Sequence, residues 1–250
     1  MLGDPMFYLL AVPAVLLAGV SKAGFGSGAS FVATPLLALV IDPALALGIM
    51  LPLLILIDVA TLRPYWKKWS WPDARALVIG GVPGVLLGAW LFQVAEPDVF
   101  RLLIGAISIG FVAYQLFGAR AVARAGLRPF PAWVGVATGT VAGFTSFVSH
   151  AGGPPVAVYL LARGLAKTTY QATTVLTFWA VNIMKFVPYA FLGIFTADTL
   201  IVNAALAPVA LLGAWLGIKA HFFVPERLFF IITYTLLVAT GTKLIWDAVT

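Results

Sequence analysis

The stretch Gly-Phe-Thr-Ser-Phe-Val-Ser-His-Ala-Gly-Gly-Pro-Pro, residues 143–155, lies in the middle of otherwise apolar sequence. It prevents an uninterrupted helix, because each glycine costs about 1 kcal/mol relative to alanine and each proline lacks a backbone donor. The chain must open where the flanking apolar segments demand burial. At membrane depth such a break is tolerated only where protein buries it or where it lines a water-filled cavity. This stretch is therefore the first candidate for a binding site.

The composition is that of a polytopic membrane protein. The 250 residues are 62% hydrophobic and 10% charged, and the mean hydropathy is +1.05, which a soluble domain could not display on its surface. The absence of cysteine excludes disulfides, thiolate metal sites and thiol catalysis. We expect no removable signal peptide, since no charged leader precedes a short apolar stretch and a cleavage site. The net charge of +6 comes from basic residues in short loops, which indicates membrane topology rather than nucleic-acid binding.

The second half of the chain repeats the first. Residues 24–25 match 143–144 and residues 34–35 match 153–154 at an offset of 119, and Leu-Gly-Ala-Trp-Leu at 87–91 recurs at 212–216. At nearly the same offset, Asp58 falls opposite Asn182. This self-similarity predicts an internal duplication.

We predict an all-α membrane protein with two repeats, 1–118 and 131–250, joined by a basic cytoplasmic linker at 119–130. Each repeat contains one broken segment, which forms a re-entrant helical hairpin, and three transmembrane helices. In the first repeat the broken segment is 6–41 and the spans are 44–62, 76–94 and 99–117. In the second repeat the broken segment is 132–163 and the spans are 168–190, 198–218 and 228–246. Each half of the first broken segment is expected to be too short to cross the bilayer.

Charge decides between two topologies. If each broken segment crossed the membrane once, the basic loops would divide between the two sides. If each dips in and returns, eleven basic residues fall on one side, at 63, 67, 68, 75, 120, 124, 128, 163, 167, 219 and 227. The positive-inside rule prefers the second arrangement, with both termini in the periplasm and the protein in the bacterial inner membrane. Each repeat then crosses three times, so that the second copy is inverted relative to the first, as in many transporters.

The polar residues at the two hairpin tips are the candidates for substrate binding. Helical arms that begin at a tip direct free N–H groups and a partial positive charge into the membrane, which attracts anions. The predicted binding residues are Lys22, Gly26, Ser27, Gly28, Ser30, Ser146, Ser149, His150, Gly152, Gly153, Asn182 and Lys185. A competing interpretation is that the glycines and serines only permit close helix packing.

The ionisable candidates each have two interpretations. Lys185 could bind an anion, or it could snorkel to the membrane interface. Asp58 could carry a coupling proton, or it could be a fixed counter-ion for Lys22 or Arg63. His150 could titrate near neutral pH as a second coupling group, or it could be a hydrogen-bonded structural histidine.

Several of these motifs resemble the sulfite exporter TauE/SafE family of bacterial membrane permeases, over essentially the whole chain. The motifs are Gly-Phe-Gly-Ser-Gly-Ala-Ser with Thr-Pro at 24–35, His-Ala-Gly-Gly-Pro-Pro at 150–155, Tyr-Gln-Ala-Thr-Thr-Val at 170–175, and Asn182 with Lys185-Phe-Val-Pro-Tyr. The triple glycine usual in the family is replaced here by Gly26-Ser27-Gly28-Ala29. The resemblance implies secondary export of sulfite, sulfonates or sulfoacetate-like anions without ATP, and we expect coupling to the proton gradient.

Other functions remain as alternatives. A passive anion channel would use the same donors, and an intramembrane serine hydrolase would use Ser27 or Ser149 with His150. Neither a metal nor a cofactor is expected, because His150 and His221 supply too few ligands and no phosphate-binding loop occurs in the sequence. The expected partners are a small anion, protons and the lipid bilayer. The oligomeric state is left open, with a homodimer as one option.

The predicted topology can be tested by labelling from each side of the membrane. Because the native chain has no cysteine, Asp42→Cys and Lys68→Cys each introduce a single reactive thiol. We expect an impermeant maleimide to label residue 42 from the periplasm and residue 68 only after the cytoplasmic face is opened. Labelling of both residues from the same side would contradict the re-entrant arrangement of the first repeat.

Overall fold

The computed structural model describes residues 4–25, 31–118, 130–220 and 226–250, and these form ten α-helices. The first five are α1 (Pro5–Val20), α2 (Ala33–Ala38), α3 (Pro43–Leu62), α4 (Trp71–Val94) and α5 (Pro97–Ala113). The second five are α6 (Ala132–Ser149), α7 (Gly153–Ala162), α8 (Lys167–Phe191), α9 (Ala197–Ala220) and α10 (Glu226–Val249). A π-helical turn at Ser21–Phe25 extends α1, and another at Tyr114–Gly118 extends α5. No strand occurs in these described segments, so the all-α prediction is confirmed.

Turn chemistry sets several of the helix ends. Asp4 and Asp42 cap α1 and α3, each accepting a hydrogen bond from a backbone N–H two residues later at 2.9 and 2.8 Å. Proline follows each cap in the first helical turn, where its missing N–H is no loss. Among the predicted spans α4 differs most, because it begins at Trp71 rather than at 76.

Six helices with their adjoining turns are long and apolar enough to cross a membrane, counted over the described residues. They are Pro5–Gly24, Pro43–Tyr65, Trp71–Val94, Pro97–Phe117, Lys167–Phe191 and Ala197–Lys219. The expectation that the first arm is too short was therefore wrong. The π-helical turn carries the helix through residues that the glycine-rich sequence had assigned to the break.

Helices α6 and α7, with the turn 150–152, fold back on each other as a hairpin, here called the second hairpin. At its base, Arg163 Nη1 donates to the Phe130 carbonyl at 3.1 Å, which joins the end of the segment to its beginning. Higher up, Tyr159 lies so close to Gly135 that a Cβ added there would come within 2.8 Å of its ring. At the turn, His150 adopts the left-handed conformation with φ 57°. The broken segment therefore returns to the end from which it started.

Asp73 anchors the base of the second hairpin to the loop before α4. Its buried carboxylate accepts from Arg163 Nε at 2.8 Å, from the Tyr159 hydroxyl at 3.0 Å and from Ser70 Oγ at 2.5 Å. The backbone N–H of Ser70 also donates to Thr173 Oγ1 of α8 at 2.9 Å. Two predicted basic loops, 63–75 and 163–167, thus lie at one end of the molecule, whereas a single crossing of the second broken segment would separate them.

The two halves of the chain interlock through equivalent pairs of helices. The most extensive contacts join α4 to α6, α5 to α10 and α1 to α9, so that the first arm of each half packs on the fourth helix of the other. The third helices of the two halves, α3 and α8, run antiparallel. Gly48, near the start of α3, faces Ile194 just beyond the end of α8, while Asp58, near the end of α3, meets Asn182 within α8. Antiparallel equivalent helices are what inverted repeats require, although the insertion of each repeat in a bilayer stays a prediction.

The largest apolar cluster surrounds the first broken segment. It joins α1, α2 and α3 to α5, α9 and α10, and Phe31 packs edge-on against Phe111 at 5.2 Å between ring centroids. Val148 and Ala151, at the tip of the second hairpin, belong to the same cluster. The two tip regions are therefore part of one core.

Glycines at the interface between α4 and α6 predict a steric test of this packing. A Cβ at Gly84 would lie 2.1 Å from the Thr140 carbonyl oxygen, whereas a Cβ at Gly110, also within a helix, would meet nothing within 4 Å. We expect Gly84→Ala to destabilise the protein by about 1–3 kcal/mol, because the two backbones must separate. Gly110→Ala is the matched control and should be neutral or slightly stabilising. Thermal unfolding in detergent measures both, and equal behaviour of the two variants would contradict this packing.

Candidate functional site

Asp58 forms the centre of a buried polar cluster. Lys22 Nζ lies 2.9 Å from Asp58 Oδ1, and Asn182 Nδ2 donates to Asp58 Oδ2 at 2.7 Å. The Asp58 side chain is 0% exposed and that of Lys22 is 11% exposed. The π-helical turn at Ser21–Phe25 extends α1, and this extension brings Lys22 next to Asp58 of α3. Of the two counter-ions considered for Asp58, the structure therefore has Lys22 rather than Arg63.

Lys185, one turn beyond Asn182, makes a second polar cluster with the tip of the second hairpin. Its Nζ donates to the carbonyl and to the hydroxyl of Ser146, both at 2.9 Å, and lies 2.8 Å from His150 Nδ1. On the other side of the imidazole, His150 Nε2 lies 3.3 Å from the Leu47 carbonyl of α3. Lys185 is 0% exposed. The snorkelling interpretation is therefore wrong for this conformation.

One face of α8 carries both clusters. Phe178, Asn182, Lys185 and Tyr189 recur at helical spacing and so lie along a single stripe. Lys22 Nζ sits 5.6 Å from the centroid of the Phe178 ring, and a Cβ at Gly152 would also touch that ring at 2.9 Å. Phe178 therefore lies between Lys22, at the end of the first arm, and the turn of the second hairpin.

Phe178 and Tyr189 were missed at the level of sequence. Tyr189 donates its hydroxyl to the Phe147 carbonyl at 2.6 Å, which fixes the tip of the second hairpin from α8. Both residues occupy the same helical stripe as Asn182 and Lys185, and that periodicity was the available signal.

The remaining predicted residues have different positions. Ser149 is buried, but its hydroxyl donates to the Thr145 carbonyl of its own helix at 3.0 Å rather than to the cluster. Gly152 and Gly153 form the turn into α7, with Pro154 and Pro155 in its first turn. Four predicted residues, Gly26, Ser27, Gly28 and Ser30, lie outside the described residues.

The geometry around Ser149 does not fit a serine hydrolase, and Ser27 lies outside the described residues. Ser149 is bonded to Thr145 and His150 faces Lys185 and Leu47, so no serine donates to this imidazole among the described residues. In the same part of the chain, no group of three His, Cys, Asp or Glu side chains could hold a metal ion.

Two hydroxyls beside the clusters lack a hydrogen-bond partner within the described chain. They belong to Ser21, next to Lys22, and to Thr177, next to Phe178, and both are buried. A buried polar group without a partner costs about 1–3 kcal/mol. These hydroxyls are therefore available to a bound polar molecule.

The site as a whole is occluded and carries more positive than negative groups. Two lysines face one carboxylate, and the side chains around them are almost completely buried. An open groove of about 810 Å³ lies elsewhere, between α4 and α8, and is lined mainly by apolar residues such as Leu86, Met184 and Phe191. A smaller cavity of about 220 Å³ lies beside Asp42 and Phe100.

The ion pair of Lys22 and Asp58 can be tested by a double-mutant cycle. Removing one partner of a buried pair leaves an uncompensated charge, so Lys22→Met and Asp58→Asn alone should each cost about 3–5 kcal/mol in the free energy of unfolding. The combined variant should recover most of that loss, because it leaves no unpaired charge. Unfolding of the three variants in detergent gives the coupling energy, and additive losses would contradict the pairing.

Comparison with known proteins agrees with the motifs. The model of one family, described as sulfite exporter TauE/SafE, matches residues 11–244, which is nearly the whole chain. No curated protein matches the chain, and no solved structure does. Members of the matching family are membrane transporters for sulfite and related sulfur anions, not enzymes. With its membrane-spanning helices and this match over almost its full length, the chain belongs to the sulfite exporter TauE/SafE family.

Proposed function

We propose that this protein is a secondary transporter that exports small sulfur-containing anions, such as sulfite, sulfonates or sulfoacetate-like compounds, across the inner membrane with coupling to protons. The observation that carries the proposal is the buried site between the hairpin tips, where Lys22 and Lys185 outnumber Asp58. Burial of unbalanced positive charge is costly, and a bound anion reduces that cost.

Several donors of the site suit the oxygens of a sulfonate or sulfite group. Lys22, Lys185 and Asn182 carry N–H donors, Ser146 adds a hydroxyl, and the turn at Gly152 and Gly153 precedes the N-terminus of α7. A helix N-terminus favours negative charge. We place the substrate among these residues and His150, with Ser149 and the tip residues Gly26, Ser27, Gly28 and Ser30 as further predicted contacts.

The burial of the site favours a transporter over a channel. Asp58 and Lys185 are both 0% exposed among the described residues, so neither side chain contacts solvent in this conformation. A transporter with inverted repeats must pass through an occluded state of this kind during alternating access. An outward-moving anion also gains about 2.3 kcal/mol per charge from each 100 mV of an inside-negative potential, so export needs no ATP.

Proton coupling distinguishes the two remaining functions. In proteoliposomes loaded with sulfite or with a sulfonate, we expect imposed pH gradients to change the rate of anion efflux, because the site contains the titratable candidates Asp58 and His150. Efflux that depends only on the anion gradient and the membrane potential would favour the passive channel. Absence of any anion flux would contradict both.

A second prediction concerns charge at the site. Lys22→Met should weaken anion binding by about tenfold or more, since it removes a cation from a region of low dielectric constant. Asp58→Asn should not weaken binding, because it removes the competing negative charge. The combined variant should lie between them. Binding is measured by titration of detergent-solubilised protein, and equal losses in both single variants would indicate a purely structural ion pair.

A further inference from the structure

We propose that Lys185 and His150 form a pair that holds one proton when the site is empty and takes up a second when an anion binds between them. The inference rests on the proposed anion transport and deepens it, since it assigns the coupling proton to this pair rather than to Asp58.

Hydrogen-bond donors and acceptors limit the empty pair to one shared proton. The Ser146 carbonyl can only accept, and Lys185 also donates to the Ser146 hydroxyl, so two of the Lys185 N–H groups are directed at Ser146. The Leu47 carbonyl can only accept, so His150 Nε2 carries a hydrogen. Between Lys185 Nζ and His150 Nδ1, which are 2.8 Å apart, there is room for one proton only. The pair is therefore an ammonium with a neutral imidazole, or an amine with an imidazolium.

Any other number of protons breaks this geometry. Without the shared proton, the lone pairs of Lys185 Nζ and His150 Nδ1 would face each other. With a second proton, each nitrogen would direct an N–H group at the other. In the second case the side chains must separate, and an anionic oxygen placed between them would accept from both. The proton taken up resides on His150 Nδ1, no other bond changes, and the anion balances the added charge. Anion binding and proton uptake are then mutually reinforcing, as thermodynamic linkage requires.

Asp58 is not the group that takes up the coupling proton in this proposal. Its two oxygens already face Lys22 and the Asn182 amide, and both of these groups are donors. The amide nitrogen cannot accept a proton from a carboxylic acid, so the observed contacts fit an ionised carboxylate. Asp58 therefore acts as a fixed counter-ion.

Among the charged groups of the site, the pair of Lys185 and His150 is the one that changes its charge in this proposal. Besides the pair itself, the charged groups that act on Lys185 are Lys22 and Asp58, which form their own ion pair, and Lys22 also acts on His150. The Tyr189 ring lies 6.3 Å from the imidazole, and its hydroxyl is bonded to Phe147 instead. The pair also links α8 to the tip of the second hairpin, so its separation requires these two elements to move apart.

The test measures protons and anions together on the solubilised full-length protein. Methanesulfonate and sulfoacetate serve as probes, because their acidic groups stay ionised above about pH 6. We expect wild-type protein in weak buffer to take up about one proton for each anion bound. Its affinity should fall about tenfold for each unit of pH above the range where the free pair holds the second proton. Gly110→Ala, which is remote from the site, should behave as wild type.

His150→Asn is the decisive variant. Asparagine tolerates the left-handed backbone of this position, and its side-chain oxygen can still accept from Lys185, but it cannot be protonated. We expect weaker anion binding that no longer depends on pH and involves no proton uptake. Asp58→Asn should retain the uptake.

Three results would overturn the inference. They are pH-independent binding by the wild type, proton uptake that survives in His150→Asn, and loss of uptake in Asp58→Asn protein that still binds the anion. The first needs no variant, so it decides the matter even if His150→Asn fails to fold. Failure of both probes and of sulfite to bind would contradict the proposed function itself, and this inference with it.

Discussion

The hydrogen bond between Asn182 and Asp58 is the contact on which the site depends. The two residues occupy equivalent positions in the duplicated sequence, and in the structure they touch at 2.7 Å. Contact between equivalent residues is what inverted repeats would produce at their pseudo-two-fold axis. The end of the first arm and the tip of the second hairpin both reach this place, because Lys22 pairs with Asp58, while Lys185, one turn from Asn182, binds Ser146.

The repeats are related in architecture but differ in chemistry. In the first half the cation, Lys22, follows the first arm, and its partner Asp58 is on the third helix, α3. In the second half the cation, Lys185, is on the third helix, α8, and its partner Ser146 is on the arm α6. Only the first half supplies a carboxylate. One half therefore holds a compensated ion pair, and the other holds a lysine bonded to neutral groups. The differences between the two halves thus leave the site with two lysines and one carboxylate among the described residues.

Close packing explains how the hairpins stay in place without a hydrophobic driving force between helices in a bilayer. Glycines let the backbones of α4 and α6 approach so closely that a Cβ at Gly80 would be 2.0 Å from the Val136 carbonyl oxygen. Polar bonds then fix the second hairpin at both ends, at Asp73 near its base and at Lys185 and Tyr189 near its tip. Each of these buried polar groups would cost free energy without its hydrogen-bond partner, so together the bonds fix the position of the second hairpin in this conformation.

The sequence by itself determined the membrane class, the duplication, the interrupted segments and the residue types of the site. Hydropathy, self-similarity and the positions of glycine and proline are local properties, so Asp58, Asn182, His150 and Lys185 could be selected from them. It also pointed to the family, which the match over residues 11–244 confirmed. Sequence could not determine whether Lys185 reaches water or how far the first arm extends. Depth and direction of a side chain depend on which helix packs against it.

Only the tertiary structure decided how the polar groups are paired. Asp58 had Lys22 and Arg63 as possible counter-ions, and the choice follows from the π-helical turn that brings Lys22 to α3. The contact of Lys185 with Ser146 and His150 joins residues more than thirty positions apart in the chain. No periodicity of a single helix encodes such a contact. It arises because the second hairpin folds back beside α8, and the cost of burying unpaired polar groups then selects the partners.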